Sequence, residues 1–256
     1  SKEDLAKVSV VEGDLSNASS LEQAPAYFDV AFYLVHSMSS SYDDFTRIES
    51  DSARNFVNLV DRSNAKQIIY LSGIVNDDAL SSHLLSRKNV EEILKTSKVP
   101  STVLRAAIII GSGSASFEII RDLVEKLPVM IAPRWLKTRC QPIGIRNVIQ
   151  YLQGVMLKPE SYNQSFDIGG ADILTYKEML LGYAKVRKLK RLIITVPVLS
   201  PNLSSLWLYF VTNTSYSLAR TLVASMKNEV ICMDTRIQNI VPVKILGYEE
   251  ALQLAF

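Results

Sequence analysis

Gln67-Ile-Ile-Tyr-Leu-Ser-Gly73, followed after a polar loop by His83-Leu-Leu-Ser-Arg87, is the stretch from which the rest of the chain is read. Gln67 to Leu71 is apolar without alternation, as expected of a strand covered on both faces. Ser72-Gly73 ends that strand, and His83 to Arg87 opens a helix, which Ser86 to Lys95 continues. In open α/β sheets ligands bind beyond the carboxyl ends of such strands, so this is where a ligand and a proton-transfer group could meet.

The same alternation extends outward. Asp29-Val-Ala-Phe-Tyr-Leu-Val35 is a second continuous apolar run, and Tyr42 to Leu59 carries Phe45, Ile48, Ala53, Phe56 and Val57 at mostly helical spacing. Ser101 to Ile110 reads as a strand, Gly111-Ser-Gly113 as a turn too short to be a phosphate loop alone, and Ala115 to Leu127 as a helix. Upstream, the β-branched run Val8-Ser-Val-Val11 is expected to form another strand, with a helix from Ser19 or Ser20. Four strands separated by helices imply a parallel, doubly wound α/β sheet.

Beyond Pro128 the pattern loosens. Pro133-Arg-Trp135 is loop-like, Gln141 to Ile145 is short and extended, and Asn147 is expected to cap a helix reaching Leu157. Phe166-Asp-Ile168 with Gly169-Gly170 reads as strand and turn, and Thr175 to Val186 as a helix. The remainder, with helices near Ser204–Phe210 and Tyr216–Lys227, is expected to form a small, mainly helical lobe. Residues 1–128 are thus assigned to the sheet domain, and 129–256 to its returning elements and that lobe.

Composition excludes some classes. The 256 residues are 48% hydrophobic with a net charge of +2, so nothing global points to nucleic acid. Cys140 and Cys232 stand apart, without zinc or disulfide spacing, which makes a reducing, cytoplasmic setting the expectation and gives no metal site. The apolar region from Leu192 to Val211 is broken by Pro197, Pro201 and Asn202 and is not expected to span a membrane.

Several side chains could carry chemistry. Ser72 could hydrogen-bond a substrate carbonyl, or simply bond turn backbone. His83 and Arg87, four apart, would share a helix face, with His83 as proton donor or acceptor and Arg87 on cofactor ribose or phosphate; a surface or capping histidine is the alternative. His36, Ser37 and Met38 follow a strand end and could contact a ligand, or serve packing. Asp14 could hold an adenine amino group with Leu15 packed on the ring, or cap the next helix. The basic run Lys185-Val-Arg-Lys-Leu-Lys-Arg191 beside Trp207, Tyr209 and Phe210 could make a weak membrane-surface contact, or be a solvated helix end.

Taken in order, Gly13-Asp14-Leu15, Tyr33-Leu-Val-His36, Tyr70-Leu-Ser-Gly73, Leu104-Arg-Ala-Ala-Ile108, Ile110-Gly-Ser-Gly113, Gln141-Pro-Ile143, Phe166-Asp-Ile-Gly-Gly170 and Leu174-Thr-Tyr-Lys-Glu178 resemble the short-chain dehydrogenase/reductase superfamily. The likeness is to its atypical, extended branch with the NmrA-like NAD(P)-binding proteins. It implies a Rossmann-like fold and a NADP or NAD cofactor whose contacts would include Asp14, Leu15, Leu34, Val35, His36, Ser37, Leu71, Arg87, Arg105, Ala106 and Ile108. Ser72 matches the family's catalytic serine, while its Tyr-x-x-x-Lys pair reads His83 and Arg87 here.

The resemblance also makes Val8–Val11 the third strand of a 3-2-1-4-5-6 sheet. Without strands one and two a gap of about 14 Å would open beside the fourth, so the first βαβ unit, about 40–55 residues, is expected upstream. The implied function is an NAD(P)-binding oxidoreductase for a small carbonyl or quinone-type substrate. The alternative is a non-catalytic dinucleotide-binding sensor or interaction protein. Met130, Trp135, Trp207 and Tyr209 suggest an apolar small-molecule partner.

Overall fold

The structure, a computed structural model, describes residues 7–35, 42–74, 82–196, 226 and 228–256, with backbone alone at 42–45, 82–84 and 133–135. The unbroken apolar runs become strands and the amphipathic runs cross between them. In chain order these are β1 (Val30–Tyr33), α1 (Tyr42–Asp61), β2 (Gln67–Gly73), α2 (Ser82–Leu94), β3 (Ser101–Ala106), β4 (Ile109–Ile110) and α3 (Ala115–Lys126). Then follow β5 (Val129–Pro133), β6 (Arg139–Cys140), β7 (Ile143–Gly144), α4 (Ile145–Gly154), β8 (Gln164–Ile168), β9 (Leu174–Thr175) and α5 (Tyr176–Val186). β10 (Leu192–Val196), α6 (Ile237–Ile240) and α7 (Tyr248–Gln253) complete the described elements.

The main sheet runs β1-β2-β3-β8, every pair parallel. Alternation along each strand divides its side chains between two cores. Ala31, Tyr33, Ile68, Tyr70 and Val103 pack against Ala53, Phe56 and Val60 of α1 and Val90 and Leu94 of α2. Ile69, Leu104, Phe166 and Ile168 pack oppositely, against Val148 and Tyr151 of α4 and Ile237 and Val241. Helices therefore cover both faces, which is the doubly wound arrangement read from the sequence. A third core joins α3, α5 and α7 around Phe117, Met130, Tyr183 and Leu252.

Four expectations change. Val8–Val11 forms no strand: Val8, Val10 and Val11 are exposed, and no strand among the described residues offers them backbone partners. The fourth strand of the main sheet is β8 instead. The 101–110 run is two strands, because pairing with β2 and β8 stops at Ala106 and β4 pairs with β7. The helix after Asn17 is a 3₁₀ turn, Ala18–Gln23.

Asn147 does not cap α4, which starts at Ile145. Buried inside that helix, its Oδ1 accepts from the Leu246 N–H at 2.9 Å and its Nδ2 donates to the Lys244 carbonyl at 2.9 Å. The side chain ties the C-terminal segment to the sheet domain. At Thr175 the expected helix start carries a full capping box with Glu178. The helices expected at 204–210 and 216–227, with Trp207, Tyr209 and Phe210, lie outside the described residues except for Met226, which packs in the third core.

Candidate cofactor and active site

The parallel register aligns Ser72 with Arg105 and Arg105 with Asp167, and all three project from the sheet face that α1 and α2 cover. Ser72 is buried, and its hydroxyl bonds the Tyr70 phenolic oxygen. That phenol in turn donates to the Arg87 carbonyl at 3.5 Å. Arg87 reaches back from α2: its Nη1 donates to the Leu71 carbonyl at 3.1 Å. Its Nε is buried with no hydrogen-bond partner among the described residues. Ser72, Leu71 and Arg87, separated in sequence by a loop, are thus brought together at the carboxyl end of β2.

Two tyrosines sit beneath them. The Tyr33 ring meets Tyr70 edge-on at 5.6 Å. Burial pushes both phenols above their ordinary range, with Glu49 adding to the shift and Arg87 opposing it. Both therefore remain protonated at neutral pH. Glu49, itself buried on α1, accepts from the Ser86 hydroxyl at 3.2 Å.

The other candidates fall into place unevenly. Leu34 and Val35 leave the end of β1 with 56% and 51% of their surface open, enough for an apolar ligand face to pack on them. α2 begins at Ser82, so His83 stands one turn before Arg87, as expected, but the His83 side chain lies outside the described residues. So do His36, Ser37 and Met38. Asp14 does not cap the following turn, a role that Asn17 takes. Its Oδ1 instead accepts from the Ser16 hydroxyl and N–H, both at 2.8 Å, which holds its carboxyl below the ordinary range. Leu15 packs against the α1 core, and its carbonyl accepts from Asn55.

Arg105 is committed elsewhere. Its Nε and Nη2 donate to Glu91 at 3.1 and 2.7 Å, and Glu91 also accepts from Ser165 at 2.7 Å and pairs with Lys95 at 2.8 Å. Burial alone would raise the Glu91 carboxyl, but these bonds hold it below its ordinary value. The cluster fastens α2, and with it Arg87, onto β3 and β8. Beside it Ala106 is buried, while Ile108 is half-buried with its carbonyl bonded to the Ile143 N–H.

Sequence reasoning assigned no role to Gln141 or Asp167. Gln141 donates to the Gly170 carbonyl at 2.8 Å and accepts from the Cys232 N–H at 3.0 Å; Asp167 accepts from the Met233 N–H at 2.9 Å. Together they bring residues 232–233 back over the end of β8. Their signal was visible as the Gln141-Pro-Ile143 and Phe166-Asp-Ile-Gly-Gly170 motifs, without its partner. The Gly113 N–H is taken by the Glu118 carboxylate at 3.1 Å, which agrees with reading Gly111-Ser-Gly113 as a turn. Among the described residues no His/Cys/Asp/Glu cluster could hold a metal ion, and no helix is long and apolar enough to cross a membrane.

No family model and no curated protein sequence matches the chain. Solved structures do. A nucleoside-diphosphate-sugar epimerase from Staphylococcus aureus superposes with a TM-score of 0.76 at 15% identity, over 99% of this chain and 86% of its own. A triphenylmethane reductase from Citrobacter sp., complexed with NADP(H), gives 0.74 at 15% identity, over 100% of this chain and 87% of its own. An NADPH-dependent quinone oxidoreductase from Escherichia coli, complexed with NADPH, gives 0.70 at 15% identity, over 99% of this chain and 86% of its own. At such identities the likeness is one of fold, and the chain has the Rossmann-like α/β fold of these reductases and epimerases, as its motifs implied.

Proposed function

We propose that the protein binds a nicotinamide dinucleotide, NADP or NAD, at the carboxyl rim of β1, β2 and β3 and acts as an oxidoreductase on a small carbonyl or quinone-type substrate. The observation that carries this reading is Arg87: a cation held at the end of β2 beside Ser72, with a buried Nε that lacks an acceptor among the described residues. An orphaned donor of this kind is costly unless an oxygen acceptor completes it. A ribose hydroxyl at the rim would, and the open Leu34 and Val35 side chains supply apolar surface for a ring. The residues present therefore fit the cofactor, which when bound carries the hydride.

The chain's own groups then divide the work. The Ser72 hydroxyl, held against Tyr70 in the resting site, turns from that phenol to donate its one proton to the substrate oxygen. His83, one helical turn from Arg87, delivers the proton. Arg87 holds the ribose, as a lysine does in the family the sequence resembles, but with a planar fork in place of a point charge. The Glu91–Arg105 cluster keeps α2 at the distance these contacts need.

A second reading, a non-catalytic dinucleotide-binding sensor or interaction protein, is favoured by one observation: Ser72 is 4% exposed and already bonded to Tyr70. Turnover separates the two. Reduced cofactor is offered with a panel of aldehydes, ketones and quinones, using the parent protein, Ser72→Ala and His83→Ala. The enzyme reading expects oxidation of the cofactor with at least one acceptor and loss in both variants. Binding without turnover across the panel leaves the second reading standing. A reducing, cytoplasmic setting fits the two free thiols.

A further inference from the structure

β5 and β10 form a two-stranded parallel sheet in which Leu192 pairs with Val129, Ile193 with Met130 and Ile194 with Ile131. Paired residues in parallel strands project to the same side, and successive residues alternate. Met130, Ala132 and Ile193 accordingly lie in the third core. Val129, Ile131, Leu192 and Ile194 form the opposite face, and they are 53%, 58%, 56% and 47% exposed. Four aliphatic side chains in register on one surface are a patch, unlike apolar residues scattered singly.

The basic run identified in the sequence leads directly into this sheet. Three of its charges are already engaged: Lys185 pairs with Glu249, Arg187 with Glu125, and Arg191 donates to the Val124 and Glu125 carbonyls. Lys188 and Lys190 are exposed and make no ion pair among the described residues. Lys188 occupies the left-handed turn, φ 56°, that ends α5 and redirects the chain into β10. Lys190 lies two residues before Leu192, in the segment that enters β10.

We propose that this face docks on an anionic lipid surface, with Val129, Ile131, Leu192 and Ile194 entering the boundary between headgroups and acyl chains while Lys188 and Lys190 meet lipid phosphate or carboxylate. Two features select this occupant. The unpaired charge at the head of the patch is wholly basic, complementary to acidic lipid. The patch exposes roughly 400 Å², about half of the 800 Å² per partner that a stable protein interface needs. A second copy would be held weakly, whereas interfacial lipid binding needs no such area.

Co-sedimentation of the full chain with vesicles tests this, comparing phosphatidylcholine alone with phosphatidylcholine containing one-third phosphatidylserine, at low and high salt. Binding to the phosphatidylserine vesicles alone is expected, weakened by salt. Lys188→Gln with Lys190→Gln should lower the partition coefficient roughly twenty-five-fold, about fivefold for each lysine. Ile131→Ser with Ile194→Ser should abolish it. The lysine pair is solvent-exposed and leaves the cores untouched, so its result stands even if the serine pair destabilises the fold. Absence of sedimentation at low salt, or undiminished binding by the lysine variant, overturns the proposal. So does a micromolar dimer in light scattering that Ile194→Ser dissolves, since the face then belongs to a second copy.

Discussion

Glu91→Gln removes one charge from the centre of the cluster that fastens α2 to the sheet. The Glu91 side chain is 3% exposed and receives two bonds from Arg105, one from Ser165 and one from Lys95. Stripping one partner from a fully buried ion pair costs about 3–5 kcal/mol, because the remaining charge is left uncompensated. Here the Arg105 and Lys95 side chains keep 31% and 36% of their surface in water, which softens that penalty. A loss of about 2–3 kcal/mol is expected, corresponding to a fall in Tm of about 5–10 °C for a chain of this size.

Urea unfolding at neutral pH measures it as a lower midpoint at unchanged slope. Glu92→Gln is the control: Glu92 pairs with Lys95 alone among the described residues and is 61% exposed, so its loss should stay below about 0.5 kcal/mol. The effect of pH follows from the depressed Glu91 value. Its contribution is complete above the ordinary carboxyl value of 4.5 and disappears as pH falls through the lower native value. The gap between parent and variant should therefore be constant from pH 6 to 8 and close on acidification. A Glu91→Gln protein as stable as the Glu92→Gln control, or a gap that widens in acid, refutes the reasoning.

Three further outcomes follow from single contacts. A methyl group at Gly170 would drive into the Pro142 carbonyl oxygen, so Gly170→Ala should cost about 1–3 kcal/mol in the same unfolding assay, against near-neutrality if the turn relaxes freely. Thr175→Ala removes the capping box of α5 and should cost about 1 kcal/mol, with Thr175→Ser restoring most of it. Burial pushes the thiols of Cys140 and Cys232 up to about 12, so a disulfide reagent at pH 7.5 should leave both essentially unreacted until the protein is denatured. A thiol that reacts within seconds in the folded protein contradicts that burial.

Much of the sheet was legible because the middle of a covered strand is an apolar run, as in Val30–Tyr33, Ile68–Leu71 and Val103–Leu104. Val8–Val11 misled for the same reason in reverse: β-branched residues suit a strand, but a strand also needs a neighbour to bond. Gln67 shows what local reading misses at the other end of that scale. It opens β2 as an ordinary polar boundary residue, yet it is fully buried, donating to Thr102 and the Val155 carbonyl and accepting from the Leu157 N–H.

At the candidate site, the strand end pointed to Ser72, and the i, i+4 spacing put His83 and Arg87 on one helix. Nothing local could reveal that Arg105 would turn to Glu91, fourteen positions earlier, or that Asp14 would be held by Ser16 while Asn17 did the capping. Asn147 likewise reads as a cap because caps are where exposed asparagines are favoured. Its partners, a hundred residues downstream, make it a tertiary clamp.

The most direct test of the central claim is a fluorescence titration of the parent protein and Arg87→Ala with NADPH and with NADH. Saturable binding of at least one cofactor is expected, weakened about tenfold to a hundredfold in the variant, as loss of a charged hydrogen bond requires. Absence of binding to both cofactors, or equal affinity in Arg87→Ala, would contradict the assignment of the rim beside Ser72 as a dinucleotide site.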